Sequence, residues 1–270
     1  MENNGKGLKK VDIIVLLKQV PDTQSNIKIA DSKIAINTDN VKWIINPFDE
    51  FAIEEALRIR KDYGGSVTVL AAGSKKTAEA IRTALAMGAD KGILIDDDII
   101  QKCDGLGIAQ ILAKALEKIP FDLIIAGQRA VDDDNFLVGA AVADLLNIPY
   151  VSFVVQQEII GKTIRCHRTI EGGTAVIDAK LPVLFTTQKG LNEPRFVSLP
   201  GIMKAKKKPI EIKTVADVGI DAEKFRVSST KIIELKLPRK RKKVIIIEGD
   251  LAHEKADKLL KTLSEISSII

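Results

Sequence analysis

The feature that most constrains the fold is the regular alternation of short apolar runs with helical patterns over the first two-thirds of the chain. Residues 11–17 (VDIIVLL) form a nearly continuous apolar run, as expected for a parallel strand covered on both faces. Residues 48–63 carry apolar side chains at helical spacing, with acidic residues early, basic residues late and Gly64 at the end. The same patterns predict strands at 66–71, 92–95 and 122–126 and helices at 77–87, 106–118 and 136–146.

Strands separated by helices of 10–16 residues indicate βαβ units with right-handed crossovers. We therefore predict an α/β fold with a doubly wound, mostly parallel, Rossmann-like sheet. After Pro149 the pattern changes, and strand-like runs joined by short turns predict a small antiparallel addition. These runs are residues 150–160, 163–169, 174–179 and 183–187.

The last third of the chain is patterned differently. From Lys189 onward Pro and Lys are frequent and periodicity is weak, until an amphipathic helix is predicted at 251–263. A long segment of this kind does not pack into a compact domain by itself. It predicts an extended C-terminal arm that lies on another surface.

Composition narrows the possible chemistry. Hydrophobic residues make up 46% of the chain and charged residues 29%, which is enough apolar material for a core. Two cysteines (Cys103 and Cys166) and two histidines (His167 and His253) argue against a disulfide framework, a His-based triad and a multi-His metal site. No apolar run approaches the ~18 residues that span a bilayer, and the first residues have no apolar signal core. We expect a cytoplasmic protein that is not embedded in a membrane.

Positive charge is concentrated in one segment. The chain has a net charge of +5, but residues 188–243 contain 16 Lys/Arg and six Asp/Glu, a local net charge of +10. This imbalance indicates an acidic protein partner, nucleic acid, or a solvated face without a partner. Base-stacking aromatic residues are nearly absent there, with only Phe196 and Phe225, which argues against nucleic acid. The basic cluster Arg239–Lys243 has no assigned role.

In an open parallel sheet, ligands bind beyond the carboxyl ends of the strands near the switch point of the strand order. Four segments follow predicted strands: residues 16–18, 71–74, 95–98 and 126–129. Gly73 allows close backbone approach just before a helix, which suits a nucleotide.

Residues 127–134 (GQRAVDDD) precede another predicted helix, whose first N–H groups could hold a phosphate. The three aspartates could equally be N-cap residues of that helix. Neither a Gly-x-Gly-x-x-Gly after a strand nor a Gly-x4-Gly-Lys-Ser/Thr occurs. With little acid–base machinery in view, the pattern favours binding or carrying over bond-making catalysis.

Five segments occur in order at compatible spacing over about 190 residues, and together they are specific. They are residues 18–22 (KQVPD), 46–57 (NPFDEFAIEEAL), 82–90 (RTALAMGAD), 127–134 (GQRAVDDD) and 191–208 (LNEPRFVSLPGIMKAKKK). In these segments the chain resembles the electron-transfer flavoprotein β subunit family.

The resemblance implies half of a heterodimer that pairs with an α subunit. Such proteins accept electrons from acyl-CoA or related dehydrogenases and pass them to a membrane quinone oxidoreductase. The redox FAD is held mainly by the α subunit, and the β subunit buries a structural AMP. In the electron-bifurcating branch a second FAD takes the place of AMP and NADH is the donor.

The resemblance also implies a set of cofactor-binding residues. Phe48 would face the partner-held flavin, and the helix start after Asp134 would receive the phosphate. The implied residues are Leu16, Asn46, Pro47, Phe48, Asp49, Ala72, Gly127, Gln128, Arg129, Ala130, Val131, Asp132, Asp133, Asp134, Asn135, Phe136, Leu137 and Val138.

A recognition loop for dehydrogenases is implied within residues 188–208. Its apolar anchor, Leu199, would enter a pocket of the dehydrogenase, and the lysines beside it would attract an acidic surface. The implied docking residues are Asn192, Pro194, Arg195, Leu199, Pro200, Ile202, Met203, Lys204, Lys206 and Lys207. Residues 1–187 would then form the nucleotide-binding domain, and residues 209–270 an arm wrapping the α subunit.

Two details bear on which branch the chain resembles. AMP-binding members usually place small polar residues after the aspartates, whereas this chain has Asn135, Phe136, Leu137 and Val138. Side-chain donors for a phosphate are therefore fewer, and a nucleotide in general is better supported than AMP. The retained NEPR and LPxIM pieces of residues 191–208 favour the simple carrier over the bifurcating branch.

Overall fold

A computed structural model describes residues 10–225, 228–238 and 244–266, so the basic cluster Arg239–Lys243 lies outside the described residues. The strands are β1 (Ile13–Leu16), β2 (Gln19–Pro21), β3 (Lys28–Ile29), β4 (Ile36–Asn37), β5 (Trp43–Ile45), β6 (Val67–Ala72), β7 (Lys91–Ile95), β8 (Leu123–Gly127), β9 (Tyr150–Ile160), β10 (Thr163–Ile170), β11 (Gly173–Lys180), β12 (Val183–Thr187) and β13 (Ile210–Lys213). The helices are α1 (Pro47–Tyr63), α2 (Ala78–Met87), α3 (Gly105–Leu116), α4 (Val138–Leu145), α5 (Leu199–Lys207) and α6 (Ala252–Ile266).

Nine strands form one sheet in the order β11-β10-β9-β12-β8-β1-β6-β7-β13. The seven neighbouring strands β9-β12-β8-β1-β6-β7-β13 are all parallel. The pairs β9–β10 and β10–β11, at one edge of this sheet, are antiparallel. The chain runs outward from β1 through β6 and β7 and then returns to β8 on the other side of β1. The predicted doubly wound, mostly parallel α/β fold is confirmed, with its switch point between β1 and β8.

Two apolar cores lie on opposite faces of the sheet. In β1, Ile13 and Val15 face one core, while Ile14 and Leu16 face the other. Helices α1 and α2 cover the first core, and α3 and α4 cover the second. Burial on both faces explains why this strand is a continuous apolar run in the sequence.

The antiparallel addition consists of β9, β10 and β11, as predicted. The prediction that residues 183–187 belong to it was wrong, because β12 lies between β8 and β9 and is parallel to both. All five residues of β12 are buried, as in a central strand, but a short preceding turn does not fix a strand's direction. Two further antiparallel pairs, β2–β5 and β3–β4, lie between β1 and α1 and were not predicted.

Part of the weakly patterned segment after Lys189 packs on the sheet. Strand β13 extends the sheet by pairing with β7, and Val215, Val218 and Ile220 join the second core. Residues 228–238 and α6 are largely exposed. Among the described residues, no helix has the length and apolar character needed to cross a membrane.

Candidate functional site

The carboxyl ends of β1, β6, β7 and β8 border a cleft of about 1410 Å³. All four segments predicted to meet at the strand ends contribute to its lining: Leu16–Lys18, Ala72–Ser74, Asp96–Asp98 and Ala126–Arg129. This is where the fold places a ligand. The volume exceeds the ~300–1,000 Å³ of ordinary ligand pockets, so it has room for a mononucleotide or a dinucleotide.

Twelve of the 18 residues that the resemblance implied line this cleft. They are Leu16, Asn46, Asp49, Ala72, Gly127, Gln128, Arg129, Ala130, Asp133, Asn135, Leu137 and Val138. The other six lie within residues 46–49 and 127–138 but do not line the cleft. They are Pro47, Phe48, Val131, Asp132, Asp134 and Phe136.

Asn46 joins the start of α1 to the loop after β8. Its Nδ2 donates to Asp49 Oδ1 (2.9 Å) and to the carbonyl of Arg129 (2.8 Å). Its Oδ1 accepts from the backbone N–H of Val131 (3.2 Å). Because the side chain is buried and fully paired, it fixes one wall of the cleft.

Asp49 is a buried carboxylate at the same junction. It accepts from the backbone N–H groups of Lys18 (2.7 Å) and Gly127 (3.1 Å), which follow β1 and end β8. Burial raises the pKa of Asp49 to about 7, although these hydrogen bonds act to lower it. A Cβ on Gly127 would lie 2.3 Å from Asp49 Oδ1 and 2.9 Å from the backbone carbonyl carbon of Phe48, so the close approach requires glycine.

Basic side chains pair with all three aspartates of the loop after β8. Lys18 Nζ lies 2.8 Å from Asp132 Oδ1 and 2.9 Å from Asp133 Oδ2, and the Arg129 guanidinium pairs with Asp134. Burial acts to lower the pKa of Lys18, but the hydrogen bonds and charges of the two carboxylates outweigh it and raise that pKa. The loop's negative charge is therefore offset locally.

None of these aspartates caps α4, so the N-cap interpretation was wrong. The helix begins at Val138 with Leu137 in the N-cap position, and Asn135 Oδ1 accepts from the N–H of Leu137 (3.0 Å). Asp134 and Phe136 have φ values of 53° and 54°, a region that non-glycine residues seldom adopt. This turn separates the acidic loop from the helix start, whose first N–H groups have no partner within the helix.

An arginine and three aromatic rings pack beside the cleft. The Arg129 guanidinium lies 5.0 Å from the ring centre of Phe48 and 5.4 Å from that of Phe136. The rings of Phe136 and Phe153 are 5.9 Å apart. These contacts hold the Phe48 ring and a positive charge together at one edge of the cleft.

The residues present fit a nucleotide. Gln128 Oε1 is a buried acceptor with no hydrogen-bond partner among the residues that the structure describes, as expected where a ligand donor would sit. Burial raises the pKa of the Cys103 thiol, and the negative charges of Asp104 and Asp97 raise it further. This cleft thiol is therefore protonated and a poor nucleophile. In the described part of the chain, no group of three His, Cys, Asp or Glu residues could hold a metal ion.

Several cleft residues were not among those that the resemblance implied. Lys18 is one of them, although it lies in the strand-end segment 16–18 that was predicted as a ligand candidate. Lys75 and Lys76 follow Ser74 at the end of β6, where only a helix start was predicted. Thr230 and Ile232 come from the C-terminal segment, whose weak periodicity gives no indication that it borders the cleft.

The implied docking residues lie in a second region, the docking segment (residues 191–208). Ser198 caps α5, its Oγ accepting from the N–H of Gly201 (3.2 Å). The segment exposes 99% of Phe196 and 78% of Leu199. Ile202, Met203, Pro200, Lys204, Lys206 and Lys207 are also exposed.

The other implied docking residues are placed differently. Asn192 and Arg195 hydrogen-bond to α1, and Pro194 is half-buried between them. Phe196 was not among the implied residues, although it is the most exposed apolar side chain of the segment. In the sequence, Phe196 is an apolar residue that belongs to no helical or strand-like pattern, and this could have indicated its exposure.

Comparison with known proteins identifies the family. Residues 33–218 match the family model of the electron transfer flavoprotein domain. The chain is 39% identical over 261 residues to the electron transfer flavoprotein subunit beta of Bacillus subtilis, an alignment that covers 96% of this chain and 100% of that protein. The chain belongs to the electron transfer flavoprotein β subunit family.

Two mammalian members of this β subunit family are similar over most of their length. The electron transfer flavoprotein subunit beta of Homo sapiens is 35% identical, covering 97% of this chain and 100% of that protein. That of Mus musculus is 38% identical, covering 87% and 92%. The family resemblance found in the five sequence segments is thus confirmed, and a role in electron transfer follows for this β subunit.

Proposed function

We propose that this chain pairs with an α subunit as the β subunit of an electron-carrying heterodimer. The heterodimer carries electrons from acyl-CoA or related dehydrogenases to a membrane quinone oxidoreductase, with the redox FAD held mainly by the α subunit. The observation that carries the proposal is the docking segment, in which Phe196, Leu199 and Met203 are exposed beside three lysines. Exposed apolar anchors within a charged rim are typical of a surface that binds a protein.

The cleft is proposed to hold a structural AMP. Backbone groups at Leu16 and Ala72 would meet the base and ribose, Gln128 Oε1 would accept a hydrogen bond, and the first N–H groups of α4 would receive the phosphate. Lys18 and Arg129 support this assignment, because they neutralise the aspartates next to that helix start.

The second candidate is the electron-bifurcating type, with FAD in the cleft and NADH as donor. Two observations favour it: the cleft volume of about 1410 Å³ exceeds the range of ordinary ligand pockets, and its α4 end is lined by apolar Leu137 and Val138. The NEPR and LPxIM pieces of the docking segment favour AMP instead.

The β subunit's contribution to electron transfer is electrostatic. The bound flavin supplies the redox chemistry, and the protein tunes it through nearby charges and hydrogen bonds. Phe48, held against Arg129 at the edge of the cleft, is proposed to face the partner-held flavin. Because Arg129 is paired with Asp134, the role proposed for it is to hold the Phe48 ring in place.

The C-terminal arm is proposed to wrap the α subunit. Ile233 is 87% exposed, and Val244, Ile246 and Leu260 are also exposed, which is more apolar surface than a lone segment normally shows to water.

Purifying the complex tests the proposal. The chain is co-expressed with its α subunit, the complex is heat-denatured, and the released nucleotides are identified and counted against protein. One FAD and one AMP per heterodimer support the carrier, and two FAD molecules support the bifurcating type. A β chain that is a stable monomer with an empty cleft would overturn both.

A further inference from the structure

Helix α1 carries two adjacent glutamates in its middle turn, and both are buried. Glu54 is 6% exposed and Glu55 is 3% exposed. Buried carboxylates are costly unless they are paired, so their partners show what they stabilise. We propose that Glu54 and Glu55 are positioning residues that hold the docking segment in the conformation that binds a dehydrogenase, an inference that rests on the proposed function.

Glu54 binds Arg195 through three hydrogen bonds. Arg195 Nε donates to Glu54 Oε2 (2.7 Å), and Arg195 Nη2 donates to Glu54 Oε1 (2.9 Å). The backbone N–H of Arg195 also donates to Oε2 (3.2 Å). A bidentate pair with a backbone contact fixes both the side chain and the main chain of the residue immediately before Phe196.

Glu55 holds the start of the segment. Its Oε2 accepts from Asn192 Nδ2 (2.8 Å), which also donates to the carbonyl of Phe51 (3.0 Å). Its Oε1 accepts from Gln157 Nε2 (2.8 Å) on β9. Arg58, one turn along α1, lies 3.3 Å from Oε2. The carboxylate therefore joins the docking segment and the antiparallel addition to one helix.

The far end of the segment is fixed separately. Arg82 Nη1 of α2 donates to the carbonyls of Ala205 (2.6 Å) and Lys208 (2.5 Å) at the end of α5. A Cβ on Gly201 would lie 2.5 Å from the carbonyl oxygen of Ala86, so α5 packs tightly on α2. Phe196 and Leu199 thus project from a backbone held at both ends, which reduces the entropy lost on binding.

A different role for Arg195 makes the opposite prediction. If its charge served only to attract an acidic partner, Glu54→Gln would increase the local positive charge and strengthen association. If Glu54 holds the segment, the same change weakens association. Arg195→Lys keeps the charge but loses the bidentate geometry with Glu54, so the positioning role predicts a loss and attraction by charge alone does not.

The experiment uses the purified heterodimer with Glu54→Gln or Arg195→Lys. The control is Glu79→Gln, which removes the same charge from an exposed position on α2. With an acyl-CoA dehydrogenase and its substrate, we expect KM for the heterodimer to rise roughly tenfold in both variants while kcat is kept, because preorganisation affects association rather than electron transfer. We also expect faster amide hydrogen exchange across residues 191–208. The control should change neither.

Unchanged or lower KM with unchanged exchange in Glu54→Gln would overturn the inference. If that variant yields no heterodimer, Asn192→Ser, at a half-buried position, removes the Glu55 contact instead and is judged by the same two measurements. If the unmodified heterodimer is reduced by none of a panel of acyl-CoA dehydrogenases, the proposed function fails. Hydrogen exchange alone then decides whether the glutamates hold the segment.

Discussion

At the scale of single residues, the cleft depends on polar groups that are buried at the junction of two strand ends and a helix. Asp49 and Asn46 together accept or donate five hydrogen bonds there. Their partners are mostly backbone groups, so their effect is on the shape of the cleft. Changes at these positions should alter stability and nucleotide retention together.

Asp49→Asn should change how stability depends on pH. The folded-state pKa of about 7 lies above the ordinary 3.8, so the carboxyl holds its proton more tightly when folded. Its contribution to stability is complete below pH 4 and is lost as pH rises to 7, by up to roughly 4 kcal/mol. We expect denaturant midpoints of Asp49→Asn to fall less than those of the unmodified protein between pH 4.5 and 7.5.

The exposed variant Asp39→Asn is the control for that titration and should follow the unmodified protein. Parallel curves for Asp49→Asn and the unmodified protein would show that Asp49 is not the titrating group.

Gly127→Ala should damage the cleft. Its Cβ would collide with Asp49 and with the backbone of Phe48, at a cost of about 2 kcal/mol or more. We expect a lower melting temperature and less nucleotide per purified heterodimer. Gly173→Ala, at a position with open space and no positive φ, should change neither. Full nucleotide content in Gly127→Ala would contradict the close packing described.

At the scale of elements, sequence patterning identified every strand of the central sheet that is buried on both faces. Strand β1 and helix α1 have unambiguous periodicity, and their predicted bounds are close to the observed ones. Helix α5 was missed because Pro200 and Gly201 in its first turn resemble helix breakers, although proline is well tolerated there. Strand β13 was missed because four residues with alternating polarity carry too little pattern.

The position of the candidate site was predictable from the sequence, but the side-chain pairs that shape it were not. Strand ends such as Ala72 and Gly127 follow from the topology of a parallel sheet. The pairing of Lys18 with Asp132 joins residues more than 100 positions apart, and no local pattern carries that information. The hydrogen-bonded ion pair of Arg195 and Glu54 also joins residues more than 100 positions apart in the sequence.

Leu199→Ala should uncouple docking from cofactor binding. The side chain is exposed on α5 and contributes nothing to either core, so the fold and flavin content should be unchanged. We expect dehydrogenase-coupled reduction at low heterodimer concentration to fall more than tenfold, as for a central hot-spot residue. Ile212→Ala, at an apolar and 59% exposed position on β13, is the control. Normal reduction of the Leu199 variant by every dehydrogenase tested would remove its anchor role.

At the scale of the whole molecule, the sheet with its two cores is distinct from the exposed arm. Deleting residues 244–270 should leave the circular dichroism spectrum of the remaining fold close to that of an α/β protein, because α6 joins neither core. We expect the deletion to weaken association with the α subunit by at least an order of magnitude in a titration followed by calorimetry. Undiminished affinity would show that the arm is not the main contact.

Helix α1 begins at the cleft and holds the docking segment in its middle turns. Glu54 comes five positions after Asp49, a rise of about 7.5 Å along the helix axis. Under the proposed function, a nucleotide in the cleft and a dehydrogenase on the docking segment would therefore be held at a fixed separation. Any motion that shortens the distance between two flavins would then have to occur in the part of the complex that the proposed α subunit supplies.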